Sequence, residues 1–142
     1  MRRLLVALIL VSLSLAVAGG VSAKTSKETI HLTAPKGVMH LNKAMATAQV
    51  TYLKHDVTIK ITADGLPAAS MIHNSKYYVA WLGTTSGKTI YLGVLKVTGT
   101  MAGLSAMPMV TSFHSIFVTA ETSKHPMHAM GTKVLSGMSM MH

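Results

Sequence analysis

Along this chain apolar and polar residues alternate, and they do not recur with the spacing of helical turns. In "DVTIKIT", Val57, Ile59 and Ile61 fall on one face and Thr58, Lys60 and Thr62 on the other. That is a half-buried strand with one wet side. "KAMATAQVTYLKH" places Ala44, Ala46, Ala48, Val50 and Tyr52 together, and residues 54–56 read as the hairpin turn between these two strands. "ETIHLTA" sets Ile30 and Leu32 inward and His31 outward, while "SIFVTAE" groups Ile116, Val118 and Ala120 with Phe117 opposite. "KYYVAWLGT" and "TIYLGVLKV" are apolar on both faces, as strands covered on two sides are, and the loop "TTSGK" joins them. "ADGLPAASMIHNS" is turn chemistry with room for one short helical turn. The pattern predicts an all-β fold, a single immunoglobulin-like β-sandwich of about seven strands.

The first 23 residues, "MRRLLVALILVSLSLAVAGGVSA", break that pattern. Two arginines, an apolar run from Leu4 to Val17, and small residues at Val21 and Ala23 read as a signal peptide cleaved before Lys24. The run is shorter than the about 20 residues of a membrane span, so retention as an uncleaved anchor is the alternative, and the only membrane attachment expected. The expected organisation is a signal peptide at 1–23, a β-sandwich at 24–137 and a Met/His-rich tail at 138–142. The expected location is periplasmic, cell-surface or secreted.

From Lys24 onward there are eleven lysines, no arginine and four acids, Glu28, Asp56, Asp64 and Glu121. Nucleic-acid readers use arginine forks and clustered charge. These lysines are spread singly, so no nucleic-acid partner is expected, and the basic exterior suits anionic envelope surfaces. With no cysteine, an exported chain has no disulfide framework and must hold its fold by its core.

The order of several short signals forms a further pattern. Gly65, Leu66 and Pro67 make a Gly-Leu-Pro turn, and Tyr78, Trp81 and Leu82 a Tyr-x-x-Trp-Leu strand. Gly93, Val94 and Leu95 follow as a Gly-x-Leu strand start, then Val118, Thr119 and Glu121 as Val-Thr-x-Glu. Pro126 stands in a loop, and Val134, Leu135 and Gly137 close the series as Val-Leu-x-Gly. In this order, over residues 44–137, the chain resembles the extracytoplasmic C-terminal domain of RskA-like anti-sigma-K factors. The resemblance implies a β-fold working outside the cytoplasmic membrane. Such a factor carries a cytoplasmic sigma-binding domain before its membrane helix, whereas only residues 1–3 precede the apolar run here. Where the family tends to have a Gly-Gly-Ser stretch, this chain has "TSKHPMHAM". The expectation is that the fold transfers and sigma-factor inhibition does not.

Four acids leave little for acid–base chemistry, which needs placed carboxylates. No Gly-x-Ser-x-Gly elbow, phosphate loop or zinc-binding helix motif is present, so no enzyme is expected. What stands out is the end of the chain, "SKHPMHAMGTKVLSGMSMMH", with three histidines and five methionines. Thioethers are soft, neutral donors that favour Cu(I), and imidazole suits either copper state. His125, Met127, His128 and Met130 are the candidate ligands, with Met138, Met140, Met141 and His142 in addition. His114 joins them if its segment borders the tail.

Methionine also fills gaps in cores. Met39, Met45 and Met71 are expected to do that, and Met101, Met107 and Met109 to pack in the core or at an edge. His31, His40, His55 and His73 read as strand or turn residues, and Tyr78 and Trp81 as core. The sequence thus points to an exported, non-enzymatic β-sandwich of the anti-sigma-K C-terminal type that captures Cu(I) on its last loop and tail, either protecting the envelope or passing the ion to a metal-transfer partner. The alternative is an envelope protein–protein interaction module in which the methionines have no metal function.

Overall fold

In a computed structural model, which describes residues 26–38 and 40–140, the alternating segments become strands of one antiparallel sheet. The signal peptide expected at 1–23, together with Met39, Met141 and His142, lies outside the described residues. The strands are β1 (Ser26–Thr33), β2 (Met45–Tyr52), β3 (Val57–Asp64), β4 (Tyr77–Gly83) and β5 (Thr89–Val94), then β6 (Lys96–Thr98), β7 (Met101–Ala106), β8 (Ser115–Glu121) and β9 (Thr132–Met138). A single 3-10 turn at Ala69–Met71 is the short helical turn foreseen before β4. The fold is all-β, with nine strands where about seven were expected. "TIYLGVLKV" is two strands, β5 and β6, and β7 went unread. The β7 sequence, "MAGLSA", is short and mostly small, without the β-branched or aromatic residues that mark a strand.

The sheet order is β5-β4-β8-β9-β1-β2-β3-β7-β6. Its two end strands, β5 and β6, are separated in the chain by Leu95 alone. The sheet therefore wraps almost into a closed surface, instead of forming two independent sandwich layers. Leu95 is buried at the switch, and its N–H donates to the Tyr78 carbonyl at 2.8 Å. Gly93, at φ 148°, lets β5 bend there: a Cβ would sit 3.0 Å from Leu104 of β7. On the far side β9 and β1 share one register pair, Thr33 with Ser136. They cross so closely that a Cβ on Gly137 would lie 2.6 Å from the His31 carbonyl oxygen and 2.7 Å from Leu32.

The inward faces of β1, β2 and β3 are those the alternation marked, and they pack with Tyr78, Leu82, Ile116, Val118 and Leu135 into the main core. Their outward faces carry His31, Thr47, Gln49, Lys60 and Thr62, the reverse of a membrane barrel, whose outside is apolar. Trp81 is buried as expected, in a second cluster on the other face of β4, with Val79 and Phe117.

The chain end is also tied down. Tyr52 and Ser139 hydroxyls donate to Glu28 Oε1 at 2.7 and 3.0 Å, and the Met140 N–H donates to Oε2 at 2.7 Å. Met138 completes β9 and Ser139 is buried, so the folded unit runs past the boundary expected at 137. Tyr78 donates to the Pro67 carbonyl at 2.6 Å.

Gly137→Ala forces a methyl into the β1 backbone, and overpacking of this kind costs about 1–3 kcal/mol. The denaturation midpoint should fall with unchanged denaturant dependence. Burial pushes both Tyr78 and Tyr52 up to about 12 from an ordinary 10.0; at Tyr52 the Ser139 hydrogen bond opposes this and the Glu28 carboxylate adds to it. Both rings keep their protons longer when folded, so their contribution is full below pH 10 and is lost as pH rises to about 12. Denaturation midpoints should decline across that window, and less steeply in Tyr78→Phe.

Candidate soft-metal site

Strand β8 ends on Glu121 and β9 begins at Thr132, so the His/Met segment is the loop between them. It does not stand free. It folds back over the outer face of β4, β5 and β8, where Ala129 packs against the cluster of Val79, Trp81 and Phe117 flanked by Tyr77 and Tyr91. Tyr91 donates its hydroxyl to the Lys124 carbonyl at 2.8 Å, and the His125 ring lies 5.5 Å from the Tyr91 ring. Lys124 sets its ammonium 5.7 Å from the Tyr77 ring centroid, a contact of modest strength at an exposed position. This loop explains why β4 is apolar on both faces: core covers one side and the loop the other.

A hydrogen-bonded chain holds the back of the loop. Trp81 Nε1 donates to the Thr119 hydroxyl at 2.9 Å, Thr119 donates to the Glu121 carboxylate, and the Gly131 N–H donates to Glu121 Oε2 at 2.9 Å. Glu121 is buried. A buried carboxylate is costly unless hydrogen-bonded, and a donor that satisfies it is correspondingly fixed in place. Glu121 thus clamps the loop's exit. The sequence marked Glu121 only as the end of the Val-Thr-x-Glu strand and gave Tyr91 no role. The one signal available was the apolar outer face of β4, which demands a cover.

Between its clamps the loop offers its donors to solvent. His125, Met127, His128 and Met130 are all exposed, Met127 at 87% and Met130 at 78%. A cleft of about 390 Å3 runs between Met130 and His73, with Pro126 and Glu121 also on its walls. His73 is thereby a neighbour of the loop that spacing along the chain did not reveal. The other candidates are elsewhere. Met138 pairs with Ser115 at the start of β8, whereas Thr132 pairs with Ala120 near its end. The six-residue advance along β9 is roughly 20 Å at about 3.3 Å per residue. Met138 and Met140 therefore stand at the opposite end of the sheet from the loop, and Met141 and His142 lie outside the described residues. The six described candidates do not converge on one point. At that far end the Ser139 N–H donates to the His114 carbonyl at 2.9 Å, so the segment carrying Met107, Met109 and His114 does border the tail.

Nine methionines fall among the described residues, and all nine are exposed: Met45, Met71, Met101, Met107, Met109, Met127, Met130, Met138 and Met140. The core-filling role expected for Met45 and Met71 is not the one they have. Ile, Leu, Val, Ala and aromatic residues fill the interior. Among the described residues, no three His, Asp or Glu side chains gather into a group. Comparison with family models, with curated proteins and with solved structures returns no match to this chain.

Glu121→Ala leaves the Thr119 hydroxyl and the Gly131 N–H without their acceptor and should cost about 2–3 kcal/mol. Loop amides should exchange faster, and Trp81 emission should move toward that of a hydrated indole. Unchanged exchange in the loop would mean that the clamp lies elsewhere.

Proposed function

We propose that the protein is an exported, non-enzymatic β-fold of the type found outside the membrane in RskA-like anti-sigma-K factors, and that it captures Cu(I) reversibly. The working element is the loop between β8 and β9, with His125, Met127, His128 and Met130 as ligands. The observation that carries this reading is the placement of methionine. Met is ordinarily a buried residue, yet here every described one faces solvent. Cysteine, the usual soft ligand, is absent from the sequence. Thioethers hold Cu(I) without a thiol to oxidise, which suits an oxidising exported space. A loop fixed at Lys124 and Gly131 but exposed between them can close its donors on an ion and open again to release it to a partner.

One observation favours a second reading. Met107, Met109, Met138 and Met140 are each exposed, and the segment leading from Met109 to His114 meets the tail where the Ser139 N–H donates to the His114 carbonyl; flexible methionine surfaces suit adaptable protein contacts. On that reading the domain is an envelope interaction module.

A Cu(I) titration against a competing chelator separates the two. Replacing His125, Met127, His128 and Met130 together by alanine should weaken uptake of the one Cu(I) equivalent held by the loop by about 100-fold or more, since even outer-shell changes at metal sites cost roughly 10- to 100-fold. Met138→Ala with Met140→Ala should leave the affinity of the loop unaltered. Equal affinity in the loop variant and the parent would return the protein to the interaction reading.

A further inference from the structure

The loop and tail were conspicuous in the sequence, but the register of the sheet assembles a different group from residues far apart in the chain. Met45 of β2 pairs directly with Asp64 of β3, and Asp64 pairs directly with Met101 of β7. Directly opposed residues on antiparallel strands share a face, with Cβ atoms about 4.5–5.5 Å apart. The row is on the outside: Met45 is 64% and Met101 44% exposed, whereas their neighbours Ala46, Ala63 and Ala102 are buried. A carboxylate thus stands between two flexible thioethers on a rigid, paired backbone. His31 faces out on β1 opposite Thr47, diagonal to Met45, at a separation of about 7–8 Å that a long side chain spans. A groove of about 300 Å3 is walled by His31, Met45 and Asp64.

We propose that Met45, Asp64 and Met101, with His31 at their flank, form a second site for a soft monovalent cation such as Cu(I). Two further observations favour it. The whole chain carries a formal charge of +9, so a cation approaches it against repulsion, and the loop ligands are all neutral with Lys124 beside them. Asp64 supplies a negative charge that the four loop ligands lack. Two of the other three acids contrast with it. Glu28 is taken up by Tyr52, Ser139 and Met140, and Glu121 by Thr119 and Gly131. Lys96 is opposite Gly103, off the row and across β7 from Asp64, and Lys43, two residues before Met45, has its backbone carbonyl beside Gly65. The donor set, two thioethers, an imidazole and one carboxylate, leaves a bound monovalent ion neutralised.

The site is independent of the loop, and the test keeps the two apart. In protein whose four loop ligands are alanine, Cu(I) titrated against a competing chelator should still fill one site. Met45→Leu with Met101→Leu, which preserves bulk on the sheet surface, should abolish that uptake. Asp64→Asn should weaken it by about tenfold or more, the least that loss of a ligand costs when outer-shell losses cost roughly 10- to 100-fold. The same leucine pair in the parent protein should leave the loop's uptake in place. The proposal is overturned if the loop-alanine protein takes no Cu(I) from the chelator, or if either the leucine pair or Asp64→Asn leaves its uptake unchanged while circular dichroism shows an intact sheet.

Discussion

The switch at Leu95 is the constraint on which the rest of this molecule depends. A sheet of nine strands has two edges, each a row of unpaired backbone groups, and here the two edges belong to consecutive pieces of one chain. Burying Leu95, with its N–H bonded to Tyr78, forces β5 to leave β4 and become β6 against β7. The curvature this imposes encloses a single core. Without a disulfide, that core is what holds the chain, and its contents show the consequence: branched aliphatic, small and aromatic side chains with defined shapes. Methionine, the most adaptable of apolar residues, is kept outside it.

Curvature also creates the second apolar cluster. Once the core takes one face of β4, its other face presents Val79 and Trp81 outward, and something must cover them. The loop after β8 does so, held at one end by Tyr91 and at the other by the buried Glu121 carboxylate. The same segment is thus a cover on its inner side and a carrier of soft donors on its outer side. Its ends are fixed by hydrogen bonds and its middle is exposed.

The residues that carry the resemblance noted in the sequence take on a physical meaning in this fold. Tyr78 pins the Gly-Leu-Pro turn, Gly93 permits the bend before Leu95, Thr119 and Glu121 join Trp81 to the loop, and Gly137 allows β9 to cross β1. They are closure points of the sheet. None of them is a candidate ligand, so a likeness in these positions speaks to architecture and not to the thioethers.

The sequence by itself determined most of the strands and the side of each that is buried. Alternation is a local property: whether Ile59 faces in and Lys60 out follows from the pleat alone. It also determined that the loop would hold exposed donors, because Pro126 and the polar residues around it leave no strand to bury them. Tertiary structure decided everything that depends on register and curvature. It divided "TIYLGVLKV" at Leu95, turned Trp81 to the outer face, carried Met138 and Met140 about a strand's length from the loop, and set Met45 and Met101 on either side of Asp64. No local window contains these facts. Distances between strands are set by which edges pair, and pairing is decided by closing one core over residues far apart in the chain.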